Sequence, residues 1–375
     1  MRTRSFGQNT VILALLFVCQ SVFAQQQAVP TGTADQLSAQ AYKMAQSAKT
    51  LEQFTESLRI CGQAMKASPT TEQKQYIQQL AGWTYNKRGE ALVNLAERTV
   101  ATDAKRAAEY ETAAAKDFDL SVRFDNTRWK PRFNRAVSKA MEGQYEVALQ
   151  DLDFVIENQP THKNAVFNRA EILLQLGNFD QAIADYSKVI KLDANDGAAY
   201  AGRGIALAAK GDTKNAMVDL NSVVRLKPDS ASGYVDRADL YAALGDFERA
   251  AGDYRVAIGL DGKSARAYQN VAWLMATCPV ERFRKPDLAV RTAKKALELD
   301  GATYLGLDTY AAALASAGEF EKAAAAQQQA IGAAPSGEQP SLQSRLALYQ
   351  QRRPFVERPN NPSNIRLATA EEDLN

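Results

Sequence analysis

AYAGRGIALAAKGDTKNAMVDLNSVVRLKP, residues 199–228, decides the fold. Its apolar residues fall at helical spacing in two runs, one on each side of Gly211, and the second run closes on Pro228. Small residues stand at Gly204 and Ala216, and Leu220 and Val223 share one face of the second run. The same order returns in both directions. Glycines stand at 143, 177, 211 and 245, each 34 residues from the last, and Gly318 follows after two periods lengthened by five residues. Seven residues before each glycine is a small residue (Ala136, Ala170, Ala238 and Ala311 beside Gly204), and five after it another (Ala148, Ala182, Ala250 and Ala323 beside Ala216). Bulky Leu152, Tyr186 and Tyr254 repeat Leu220, and Val155, Val189 and Ala257 repeat Val223. Pro160 and Pro335 repeat Pro228, with Ala194 and Gly262 in that place elsewhere. Each unit reads as helix A, a glycine turn in left-handed backbone, and helix B. One such pair cannot bury its apolar faces, whereas stacked pairs can.

With GYVDRADLYAALGDFERAAGDYRVAIGLD, residues 233–261, this stretch resembles the tetratricopeptide repeat family. The resemblance implies an all-α, right-handed α-solenoid of antiparallel helix pairs, with an inner wall made of A helices that holds a protein or peptide. It covers residues 129–335 as units 129–162, 163–196, 197–230, 231–264, 265–303 and 304–335. It departs from the family pattern where Arg132 takes the place of the bulky residue near the start of helix A. The pairing of ATCP (276–279) with LDT (307–309), followed by SLQSRLALYQQRRPF (341–355), resembles a group of exported bacterial tetratricopeptide proteins.

Around this array the reading is coarser. Residues 37–128 are expected to be two divergent helical units, because 72–116 does not fit the period; 25–36 is a linker and 336–353 a capping helix. The prolines and asparagines of 354–375 predict a flexible tail. Residues 1–24 carry Arg2 and Arg4, the apolar run Val11 to Cys19, and Val22-Phe23-Ala24, the layout of a signal peptide cut after Ala24. The expected location is therefore periplasmic or secreted, with an uncleaved anchor as the alternative. Removing that segment deletes two basic residues and leaves 43 basic against 43 acidic, so no basic excess argues for nucleic acid. No later stretch is apolar enough to span a membrane. Cys61 and Cys278, far apart in an array where units touch only their neighbours, are expected as free thiols.

Two charged ladders share the period. Arg135, Arg169, Arg203 and Arg237 lie on helix A; Asp151, Asp185, Asp219 and Asp253 lie on helix B, 16 residues after each arginine, and Asp117 extends the acidic series upstream. Ion pairing of guanidinium with carboxylate is the expected architecture, either within a unit (Arg135 with Asp151) or between units (Asp117 with Arg135). A charged ligand track is the alternative.

For the inner wall, the family frame singles out Phe133, Val137, Phe167, Leu174, Ile205, Val235 and Trp273, interspersed with Glu171, Asp239 and Gln269. That apolar set suits a peptide or an amphipathic helix laid in a groove. Phe133, Val137, Ala201 and Ile205 stand where a known subset of the family carries the Lys, Asn and Arg that grip C-terminal carboxylates, so that clamp is not expected. The loop ERFRKP (281–286) is read as an insertion anchored by Phe283, with contact to an acidic partner as the alternative. A single histidine, His162, and two distant cysteines exclude histidine triads and multi-histidine or cysteine metal sites. No cofactor and no catalysis is expected. The leading function is an exported adaptor that holds a protein partner; a self-assembling envelope component and a cell-wall glycan binder are the alternatives. The sequence does not fix the oligomeric state.

Overall fold

The structure, a computed structural model, describes residues 32–357. The proposed signal peptide and most of the tail lie outside them. The described residues form seventeen α-helices and one short 3-10 helix, with no strand among them. They divide into two compact units between Ser138 and Lys139.

In the first unit, α1 (Ala34–Ser47) and α2 (Leu51–Lys66) form a short pair, and α3 (Thr71–Thr99) and α4 (Ala104–Phe124) a long one, followed by the start of α5 (Trp129–Met141). The first three helices open with the same device. Thr33, Thr50 and Thr70 accept from the third backbone N–H, and Gln36, Gln53 and Gln73 reach back to the cap. Helix α1 therefore begins at Ala34, inside the stretch read as linker. Leu37, Ala41, Ile60, Cys61, Ile77 and Leu80 form one core, and Leu92, Ala114 and Phe118 another. Burial pushes the Cys61 thiol up to about 12.

The second unit continues with α6 (Tyr145–Asn158), α7 (Lys163–Gln175), α8 (Phe179–Leu192), α9 (Gly197–Ala209), α10 (Thr213–Leu226), α11 (Ala231–Ala243) and α12 (Phe247–Leu260). Then come α13 (Ala265–Thr277), the 3-10 turn Glu281–Phe283, α14 (Pro286–Asp300), α15 (Tyr304–Ser316), α16 (Phe320–Ala333) and α17 (Gln339–Gln350). Gly177 shows why the period carries a glycine. Its φ is +73°, a left-handed conformation that lets its N–H reach Leu174 O at 3.0 Å and the Asn178 N–H reach Leu173 O at 2.8 Å. Glycines 143, 211, 245 and 318 do the same. The small residues flanking each turn are sealed: Ala170, Ala182, Ala216, Ala238, Ala250, Ala311 and Ala323 are fully buried where the two helices cross. The five added residues form the loop after α13. Phe283 packs 6.0 Å from the Phe247 ring and Arg284 Nη1 donates to Cys278 O at 3.0 Å, so the loop is anchored as expected. Cys278 is a buried free thiol.

Candidate functional site

In the charged ladder the register is within the unit. Arg169 on α7 donates through Nε and Nη2 to both oxygens of Asp185 on α8, at 2.7 and 2.8 Å. Arg203 and Asp219 repeat the fork at 2.7 and 2.8 Å, and Arg237 and Asp253 at 2.7 and 2.9 Å. The remaining Nη1 reaches helix B of the preceding repeat, two residues beyond that repeat's aspartate: Asp153 at 2.7 Å, Ser187 at 3.0 Å and Asn221 at 3.0 Å. Each arginine thus closes its own hairpin and ties it to the one before. The hydrogen bonds to Asp185 hold the Arg169 guanidinium above its ordinary range. Arg135 pairs with Asp119 at 4.0 Å in the first unit, and Asp151 is buried in the second.

Two further rungs were not read from the sequence. In the first unit, Arg88 forks onto Asp117 at 2.8 and 2.7 Å, and its Nη1 donates to Thr55. At the far end Arg345 on α17 forks onto buried Asp308 at 2.7 and 3.0 Å, with the arginine now on the capping helix. Arg88 had a signal: YNKRG (85–89) repeats the tyrosine, arginine and glycine of YAGRG (200–204). In both, the arginine lies over the tyrosine, at 5.4 and 5.6 Å.

Over the four units of residues 129–264 a second pairing alternates. Where helix A carries an acid, helix B carries a tyrosine that donates to it: Tyr186 to Glu171 and Tyr254 to Asp239. In the units between, the corresponding residues are Val137 with Leu152 and Ile205 with Leu220. Tyr186 needs room above it, which Gly202 supplies, since a Cβ there would lie 2.3 Å from Tyr186 Cζ. Above Tyr254 stands Asn270 instead, donating to the same Asp239 oxygen at 2.8 Å. Arg266 adds ion pairs to Asp236 at 2.7 Å and Asp239 at 2.8 Å. Burial raises the Asp239 carboxyl to about 6. Burial first, then the Glu171 charge, lift the Tyr186 hydroxyl far above its usual range.

Consequently the inner-wall residues divide. Phe167, Glu171, Leu174 and Ile205 line a cleft of about 390 Å³ whose floor is Gly197, Ala198, Ala201 and Gly202. Lys227, Ser230, Ser232 and Asp236 bound it on the polar side. The cleft is open because residues of α9 facing it are small. Ile205 is largely buried, so only its edge serves the cleft. Val235, at 1 % exposure, belongs instead to the core with Ala238 and Tyr254, which corrects its placement on the open wall. Asp239 and Gln269 are also buried, Asp239 as the acceptor for Tyr254, Asn270 and Arg266. Phe133 and Val137 are half-buried on α5. Trp273 is covered by the chain's own tail: the Phe355 ring packs against it at a tilt, 5.7 Å between centroids, and the indole N–H donates to Glu357 at 3.0 Å. The stretch 354–357 is therefore docked rather than free. Among the described residues no helix is long and apolar enough to cross a membrane, and no group of three or more His, Cys, Asp or Glu is placed to hold a metal.

Stacked helix pairs joined by charged rungs, with an open cleft across consecutive first helices, define a helical-repeat scaffold. Family models identify the repeat: one described as TPR repeat matches residues 170–211, and one described as tetratricopeptide repeat matches 202–265. The two matches overlap and together span residues 170–265, so tetratricopeptide repeats are shown for that stretch of the all-helical array. Among solved structures, yeast Tom70 is 15% identical with a TM-score of 0.50, over 86% of this chain and 66% of that one. A tetratricopeptide repeat protein from Parabacteroides merdae ATCC 43184 is 17% identical with a TM-score of 0.47, over 75% and 98%. YrrB, described as having an unusual peptide-binding site, is 16% identical with a TM-score of 0.41, over 50% and 90%. No curated protein matches the sequence.

Proposed function

We propose that this chain is an exported, non-catalytic scaffold that holds a protein partner through an extended peptide laid in the cleft across α7, α9 and α11. The observation that carries this reading is the cleft itself. Its small-residue floor lets a peptide backbone approach α9 closely, Phe167 and Leu174 offer an apolar wall, and Glu171, Lys227 and Asp236 give polar partners at the edge. The volume of about 390 Å³ suits one or two apolar side chains of the bound segment. The layout of residues 1–24 supports export to the periplasm or beyond, which N-terminal sequencing of the protein from the envelope fraction tests. The ATCP and LDT motifs support a place among exported bacterial tetratricopeptide proteins.

The test is selection of peptides from a random display library on the full chain, followed by Ala201→Arg and Phe167→Asp. Ala201 is partly exposed in the cleft, so an arginine there fills it without entering the core. Selected peptides should carry apolar side chains and lose at least tenfold in affinity for Ala201→Arg. Unchanged affinity for both variants removes the cleft from the binding site.

A further inference from the structure

The C-terminal segment offers a second seat in the same unit, independent of the cleft. Two residues past the end of helix α17 stands Arg352, whose φ of +56° is a left-handed conformation rare for a residue with a Cβ. The Arg352 and Arg353 N–H groups close the helix end on Tyr349 O and Leu348 O, at 3.0 and 2.9 Å. The chain then turns back along α13. Three groups receive it. The Trp273 ring meets Phe355, and its indole N–H donates to the Glu357 carboxylate. The Thr277 carbonyl, left without a helical partner at the end of α13, accepts from the Glu357 backbone N–H at 2.8 Å. The Arg345 guanidinium lies over both rings, 5.6 Å from Trp273 and 5.5 Å from Phe355, and is held there by its fork to Asp308.

These groups read a short chemical pattern: an aromatic side chain, any residue, then a carboxylate whose own backbone N–H points inward. Val356, the residue between, is 43% exposed and contributes nothing to the fit. The hold is shallow, since Arg353 and Pro354 are exposed and Phe355 is only partly buried. We propose that the seat formed by Trp273, Thr277 and Arg345 is a binding site for extended peptides carrying an aromatic residue followed two positions later by an acid, and that Phe355-Val356-Glu357 occupies it as a built-in competitor. A partner segment of that chemistry displaces the tail. The short tether from α17 gives the resident segment a high effective concentration, so the intact chain binds outside peptides more weakly than the open seat does.

A labelled peptide copying residues 351–359 is titrated by fluorescence anisotropy into the full chain and into two full-length variants. One is Phe355→Ala with Glu357→Ala; the other, Glu357→Ala alone, keeps the Phe355 packing in case the double change loosens the fold. The double variant should bind the peptide at least tenfold tighter than the parent, and the single variant by a smaller factor. A peptide with alanine in place of its phenylalanine should bind neither. Adding Ala201→Arg to the double variant should leave this binding intact, which separates the seat from the cleft. If neither variant gains affinity, the segment is a structural latch and the proposal falls. Equal binding of the alanine peptide overturns it as well.

Discussion

At the scale of single residues, the arginine rungs were legible as a spacing and not as a geometry. The sequence offered two registers, and the structure takes the one within the unit: the planar fork goes to the unit's own aspartate, while the last nitrogen reaches Asp153 of the preceding repeat, two residues beyond the aspartate of the other register. Removing it leaves a buried carboxylate without its principal partner. Arg169→Ala should cost about 3 kcal/mol, the lower end for a broken buried pair because Arg169 keeps some solvent contact. Arg169→Lys should recover only part of this, since an ammonium cannot form the fork; urea unfolding measures both. Gly202→Ala should be costly too, because its Cβ would enter the Tyr186 ring. Adding Tyr186→Leu and Glu171→Val, the pairing of the neighbouring units, should restore the midpoint; no recovery would mean the clash is not with Tyr186. Asp239 carries a pH dependence. Its folded carboxyl titrates near 6 against an ordinary 3.8, so the native form binds the proton more tightly than the unfolded chain. The stability this contributes is fully present below pH about 4 and lost as pH rises through about 6. Relative to Asp239→Asn, the parent should therefore lose stability across that window, and a constant difference would refute the assignment.

At the scale of elements, the glycine turns and alanine crossings stood in the sequence because each is a steric requirement that repeats. Ala182→Leu should overpack the crossing of α7 and α8 by about 1–3 kcal/mol, read from thermal melts. The long pair α3 and α4 escaped the period because its turn lies three helical turns beyond the rung, while the rung residues themselves are unchanged. There Gly89 stands where Gly204 and the alanines stand, and a Cβ on it would lie 2.6 Å from Phe118. Gly82 likewise lets α4 approach, with Ser121 Oγ donating to its carbonyl at 2.7 Å. Gly89→Leu should part these helices and expose the first unit to protease near residues 71–124 while the second stays protected. Simultaneous loss of both units would show that the damage is not local. The threonine capping boxes were equally open to reading, as T-x-x-Q at 33, 50 and 70, but an irregular spacing hid them behind the louder repeat. The docked tail was not legible at all. Proline and asparagine content speaks to local stiffness, and nothing local tells Phe355 that Trp273 lies in reach.

At the scale of the whole molecule, the alternation of tyrosine–acid and leucine–aliphatic pairs sets the size of the smallest interchangeable part. The 34-residue unit is the period of the backbone, but neighbouring units are not equivalent bricks. Excising residues 197–230 would bring Asp236 to the place of Gly202, beneath a tyrosine that leaves no room for it. Excising 197–264 would instead bring Asn270 there, the residue that already accompanies Tyr254, and would present Phe179 to Phe283 where Phe247 now stands. The larger deletion should therefore melt as a single cooperative species, and the smaller one should unfold earlier despite losing less of the protein. Shortening or lengthening this scaffold, by engineering or by duplication, proceeds in doublets.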